Sequence, residues 1–205
     1  MLSLSLCGYR FDWVEASLQP KSNLSCGFCG IGATKFQSSI SGTAACPLCL
    51  ACLSLNRPRI DEEFALIRLP ETPLAPWIPY VSQADINDLA RACHLIFHAH
   101  GEPPHMQTRP KVDAPDLRRA YRAFHSLLTL IPGAADHLDT TSPRDLGAVL
   151  TSLVNEPDKR SLVDNHLKNV RLLPLGHFYH NGKDIYPEIL DAWLAHDGPM
   201  PNLTT

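Results

Sequence analysis

The sequence predicts an α+β protein. A small, β-rich, cysteine-studded head spans residues 1–56. An extended connector and a mostly α-helical body follow over residues 57–205, packed with the head as one unit. Three observations predict this. Five of the seven cysteines crowd into residues 26–52. The first part of the chain alternates apolar and polar residues with period two, the signature of strands. Beyond Ser82, apolar residues recur at helical spacing.

The cysteines read Cys26-Gly27-Phe28-Cys29, a gap of sixteen residues, then Cys46-Pro47-Leu48-Cys49-Leu50-Ala51-Cys52. Two C-x2-C pairs are how a chain builds a tetrahedral thiolate site, since each tight turn brings two sulfurs to one ion at about 2.3 Å. The spacing therefore predicts one structural Zn2+. Gly27 and Gly30 give the first pair its backbone freedom, and Phe28 can cover the metal. Pro47 fits a turn or the first turn of a helix. Cys26, Cys29, Cys46 and Cys49 form the symmetric ligand set, with Cys52 a buried spare or an alternative ligand. Disulfides fit less well, because residues 1–4 carry no secretory n-region or h-region. A redox dithiol would be a single C-x-x-C in a βαβ context. An iron–sulfur cluster suits the two-plus-two arrangement less than zinc does.

Composition narrows the function classes. At 44% hydrophobic and 19% charged residues, the chain can bury a core, which excludes wholesale disorder. A net charge of −3 and a pI near 6.3 provide no basic field to draw nucleic acid or an anionic membrane. No apolar run approaches the roughly 20 residues that span a bilayer. The expectation is a cytoplasmic chain with no direct membrane insertion and no nucleic-acid partner.

The elements follow in order. Leu2, Leu4 and Leu6 alternate with polar residues ahead of Tyr9-Arg10-Phe11, a strand or hairpin signal, with Cys7 a small buried hydrophobe. Residues 31–45, rich in Ser, Thr and Gly, predict a short hairpin or loop between the cysteine pairs. Phe64 to Leu69 read as a short apolar strand. Four prolines in residues 70–79 preclude a regular helix, so Trp77 and Ile78 dock an extended connector. Ser82 caps a helix whose apolar face is Ile86, Leu89, Ala90, Cys93, Ile96 and Phe97. Further helices are predicted over residues 115–131, 144–154 (Ser142 capping, Pro143 at its first position), 158–169 and 186–196. Arg118, Arg119 and Arg122 read as a solvated face or a contact for an acidic partner, not a nucleic-acid site. Pro174, Gly176 and the polar loop 180–183 interrupt the helices, and residues 198–205 fray.

Catalytic groups are missing from the pattern. Two knuckles followed by a helix resemble the zinc-stabilised ββα-metal nuclease core of the HNH group, in which a histidine serves as base and further His and Asn residues hold a catalytic ion. Residues 30–45 contain no His, Asn, Asp or Glu, and Leu50 follows Cys49. The expectation is a non-enzyme with no catalytic residues. The alternatives are an HNH-type nuclease recruiting His94, His98 or His105 from the body, or a nucleic-acid-binding zinc module. His94, His98, His100 and His105 do not read as a second metal site: His94 and His98 sit beside the apolar stripe with no Glu in a metalloprotease pattern, and His100 and His105 lie in a polar, Pro-rich loop. No nucleotide-binding loop or nucleophile elbow occurs.

Several stretches recur together, in order, in one known family: Cys26-Gly27-Phe28-Cys29-Gly30, the Cys46/Cys49/Cys52 triplet, Leu66-Ile67-Arg68-Leu69-Pro70-Glu71, Cys93-His94-Leu95-Ile96-Phe97 and Lys168-Asn169-Val170-Arg171-Leu172-Leu173-Pro174. Across residues 24–195 they resemble the IcmJ (DotN) family of Dot/Icm-type (type IVB) secretion systems. The resemblance implies a non-catalytic zinc-binding subunit with an HNH-like fold. Its place would be the coupling complex on the cytoplasmic side of the inner membrane. There it would bind the C-terminal tail of a DotL-like coupling ATPase beside DotM-like and IcmS/IcmW-like subunits, helping to recruit substrates.

Overall fold

A computed structural model describes residues 4–6, 9–11, 25–31, 38–40, 43–52, 54–71, 81–105, 108–110, 113–153 and 160–197. The expectations for Cys7, for Trp77 and Ile78 and for the tail 198–205 lie outside these residues. The chain is mixed α and β, as expected. Two short antiparallel hairpins begin it: β1 (Leu4–Leu6) with β2 (Tyr9–Phe11), and β3 (Ser38–Ile40) with β4 (Thr43–Ala45). The second hairpin lies where the Ser- and Thr-rich spacer predicts it. It leads into α1 (Pro47–Cys52), a six-residue helix buried at every position. So short a helix is marginal alone; Pro47 presets its first turn and the apolar surroundings hold it.

The centre of the molecule is an antiparallel ribbon of β5 (Phe64–Arg68), preceded by the single turn α2 (Ile60–Glu63), and β6 (Val170–Pro174). The predicted strand over residues 64–69 is therefore present. Its partner, in a stretch where the sequence predicts only an interruption after residue 169, is an added finding. Register pairs Leu66 with Leu172 and Arg68 with Val170, so two of the stretches that carry the family resemblance lie side by side. Alternation sorts the ribbon into two faces. Phe64, Leu66, Val170 and Leu172 enter one apolar cluster, while Ile67, Leu69 and Leu173 enter another. Both outer edges are occupied. Leu66 and Arg68 donate their N–H groups to the carbonyls of Thr141 and Leu130, and the Gln83 side chain takes both backbone groups of Leu172.

Helices surround the ribbon. α3 (Gln83–Ala99) starts at a full capping box: Ser82 Oγ accepts from the Asp85 N–H, and the Asp85 carboxylate accepts from the Ser82 N–H. α4 (Pro115–Leu128) packs across it, burying Leu117, Ala120, Phe124 and Leu127. The predicted helix 115–131 is two elements, because the chain breaks at Thr129 and Leu130 and restarts as α5 (Ile131–Leu138). α6 (Pro143–Leu153) has Ser142 Oγ accepting from the Asp145 N–H at 3.0 Å, the predicted cap. α7 (Arg160–Leu167), the hairpin of β7 (Tyr179–His180) and β8 (Lys183–Asp184), and α8 (Tyr186–Asp197) complete the described chain. Arg118, Arg119 and Arg122 are exposed, as expected. Leu89, expected on the buried face of α3, is 41% exposed. The buried arc is rotated away from it toward Gln83, Asn87 and His94, all 0% exposed. No helix among the described residues is long and apolar enough to cross a membrane.

Candidate metal centre

The two cysteine pairs approach each other through backbone bonds. The Gly30 N–H donates to Cys26 O at 2.8 Å and the Cys26 N–H to Ile31 O at 2.8 Å, folding the first knuckle into a tight turn. Gly30 sits at φ 74°, a left-handed conformation that glycine adopts without strain. The Gly27 N–H donates to Ala44 O at 2.9 Å, fastening this turn to β4. A Cβ on Gly27 would fall 2.4 Å from Thr43 Cγ2, so a larger residue would force the Thr43 side chain to move. The second pair rides on Cys46 and α1, where the Leu50 N–H donates to Cys46 O at 2.8 Å.

Cys26, Cys29, Cys46 and Cys49 are thereby brought together. Their four sulfurs all lie within 4.8 Å of one another, and Cys29 Sγ is 3.7 Å from Cys46 Sγ. Four sulfurs at about 2.3 Å from a common centre have tetrahedral edges of about 3.8 Å, so this spacing is that of thiolates around one ion and far exceeds a disulfide bond. The four cysteines could hold one metal ion, and a pure thiolate set suits zinc. Cys26, Cys46 and Cys49 are buried and Cys29 is half-buried. N–H groups point at the sulfurs: Cys46 N–H lies 3.3 Å from Cys26 Sγ, and Cys49 N–H lies 3.5 Å from Cys46 Sγ. Mutual sulfur contacts also split the proton affinities. The bond to Cys29, ahead of those to Cys46 and Cys49, pulls the Cys26 thiol down, while Cys46 and Cys49 are driven up, first by Cys26. Sharing of this kind is what four adjacent thiols do until a cation takes the place of their protons.

Two residues that sequence reasoning missed stand behind the sulfurs. Asn87 Nδ2 lies 3.6 Å from Cys49 Sγ and 3.9 Å from Cys52 Sγ. Gln83 Nε2 donates to Asn87 Oδ1 at 2.9 Å and to Leu172 O at 2.6 Å, while Gln83 Oε1 accepts from the Leu172 N–H at 2.9 Å. A continuous buried relay thus runs from β6 through α3 to the cysteines. The signal for it was in the sequence: at 100° per residue, Gln83, Asn87 and His94 fall within about 40° of one another, a polar seam along the apolar stripe. Cys52 itself is 1% exposed and lies outside the group of four sulfurs.

The histidines go to separate places. His94 Nδ1 is 2.8 Å from the Tyr186 hydroxyl, its ring set edge-on against Phe124 at 4.8 Å. Burial holds this imidazole down to about 3 and raises the Tyr186 phenol. His98 pairs with Asp191 at 2.7 Å, His100 with Asp116 at 2.9 Å, and His105 stacks on His177 at 4.4 Å. Among the described residues, the four cysteines form the one group of three or more Cys, His, Asp or Glu side chains close enough to hold a metal. Cys93, on the far side of α3, is a buried thiol pushed up to about 12 by desolvation.

Comparison with models of known protein families finds no match, and comparison with curated proteins finds none.

Proposed function

We propose that this chain is a non-catalytic, zinc-pinned adaptor: a subunit of a type IVB secretion or conjugation coupling complex. Its partner is the C-terminal tail of the DotL-like coupling ATPase, alongside DotM-like and IcmS/IcmW-like subunits on the cytoplasmic face of the inner membrane. One observation supports the adaptor reading above the rest. Cys26, Cys29, Cys46 and Cys49 supply four sulfurs at tetrahedral spacing, and a four-thiolate ion has no open position for water or substrate. The metal then serves to hold an HNH-like ββα unit in shape, with β3, β4 and α1 as its elements. The partner comes from the family resemblance, whose two most specific stretches overlap the paired strands β5 and β6.

The test is a pull-down of the purified, metal-assayed protein against the C-terminal tail of the coupling ATPase from the same system. One zinc per chain with stable tail binding, both lost in Cys26→Ser/Cys29→Ser, is the expected result. Zinc without tail binding overturns the secretion role, and metal-dependent cleavage of plasmid DNA overturns the non-catalytic role.

A further inference from the structure

The relay behind the cysteines has a chemical role of its own. Cys49 and Cys52 lie one helical turn apart on α1, both 1% exposed, and both sulfurs are within reach of the single nitrogen Asn87 Nδ2. Three residues on a helix separate side chains by about 5–6 Å at Cβ. Two thiols are thus close enough to compete for one place in the metal's shell, and only Cys49 stands with the other three sulfurs. Asn87 is itself not free to follow either of them. Its Oδ1 is held by Gln83, and Gln83 is clamped at both amide atoms to the Leu172 backbone in the central ribbon.

We propose that Asn87 is a positioning residue for the metal centre: its tethered amide fixes Cys49 as the fourth ligand and keeps Cys52 outside the shell. This rests on the metal-centre reading above. The two Nδ2 hydrogens serve one sulfur each. The bond to Cys49 draws charge from a ligating thiolate and fixes its rotamer, as outer-shell donors do at metal sites, where their loss weakens binding about 10- to 100-fold. The bond to Cys52 occupies the thiol that would otherwise enter. Gln83 carries the position of the ribbon to the ligand, so that ligand choice depends on a strand far away in sequence.

Cadmium NMR on the full chain tests this, because the cadmium resonance reports the ligand set directly. Wild-type protein loaded with one Cd2+ gives a single four-thiolate resonance. In Asn87→Leu, of similar volume but with no donor, a second resonance appears as Cys52 enters, and transfer of metal to a chelator quickens about 10- to 100-fold. Adding Cys52→Ser to Asn87→Leu collapses the spectrum to one line. A merely structural role for Asn87 would lower thermal stability without creating a second line that Cys52→Ser removes. One unchanged line in Asn87→Leu, with transfer within twofold of wild type, overturns the proposal. Should Asn87→Leu not fold, Gln83→Met, which untethers Asn87 but leaves it in place, must show the same two lines; a single line there overturns it equally. Wild-type protein that binds no Cd2+ through four thiolates removes the metal-centre reading itself, a separate outcome.

Discussion

The central ribbon divides two cores of different composition. On one side, the cysteines sit among Leu48, Leu50, Phe64, Leu66, Leu172, Phe178 and Trp193. On the other, Ile67 and Leu173 meet Ile86, Ala90, Phe97, Leu117, Phe124 and Leu127, with Cys93 a lone buried thiol among them. The second core is what an amphipathic helix pair makes on its own: Phe97 and Phe124 stack edge to face at 6.0 Å, and α4 packs against α3. The first contains a cysteine-bearing loop whose spacer, residues 30–45, is mostly small and polar and has little apolar surface to bury. Ordering such a segment costs about 1–2 kcal/mol per residue. An ion held by Cys26, Cys29, Cys46 and Cys49 would add stability on that side.

The largest test of this contrast is removal of the ion. Binding of structural zinc contributes on the order of 10 kcal/mol. Chelation, or Cys26→Ser/Cys29→Ser, is therefore expected to melt the cysteine side, read as a large fall in the thermal midpoint by circular dichroism. An unchanged midpoint after complete chelation would erase the distinction between the two cores.

Next in size is Phe124→Ala, which removes a ring in contact with Phe97 and His94. About 3–5 kcal/mol of stability is expected to go, measured by denaturant unfolding, while zinc stoichiometry stays at one. Zinc loss in that variant would mean that the two sides are not separable.

A pH titration addresses the seam between them. Burial holds the folded His94 near 3, whereas histidine in an unfolded chain titrates near 6.5. The unfolded chain takes up a proton that the native one refuses, so this contribution is complete above about pH 6.5 and is lost as pH falls toward 3. By pH 5 it amounts to about 2 kcal/mol. His94→Gln, which keeps a partner for Tyr186, should flatten the stability curve between pH 6.5 and 5 by that amount; parallel curves would contradict the burial argument.

The smallest effect concerns the start of α3. Ser82→Ala removes the cap and should cost about 1 kcal/mol, detected as a modest midpoint shift with metal affinity unchanged. A change in metal affinity would show that the relay through Gln83, the next residue, is set by the cap.

Sequence alone determined the features that depend on neighbours along the chain. The C-x2-C spacings specify knuckles because two residues between cysteines make a turn. Ser82, Ser142 and Pro143 specify helix starts because capping is a local hydrogen-bond problem. The apolar stripe of α3 was legible for the same reason, apart from Leu89 at its edge. Tertiary structure alone decided what depends on partners distant in sequence. β6 is a strand because β5, about a hundred residues earlier, offers it a ladder and Gln83 closes its outer edge. Cys49 and not Cys52 joins the other three sulfurs because the direction of α1 against α3, with Asn87 between them, places it there. Helix spacing puts both cysteines on one side of α1, so periodicity cannot distinguish them; only the position of a buried amide from another element does.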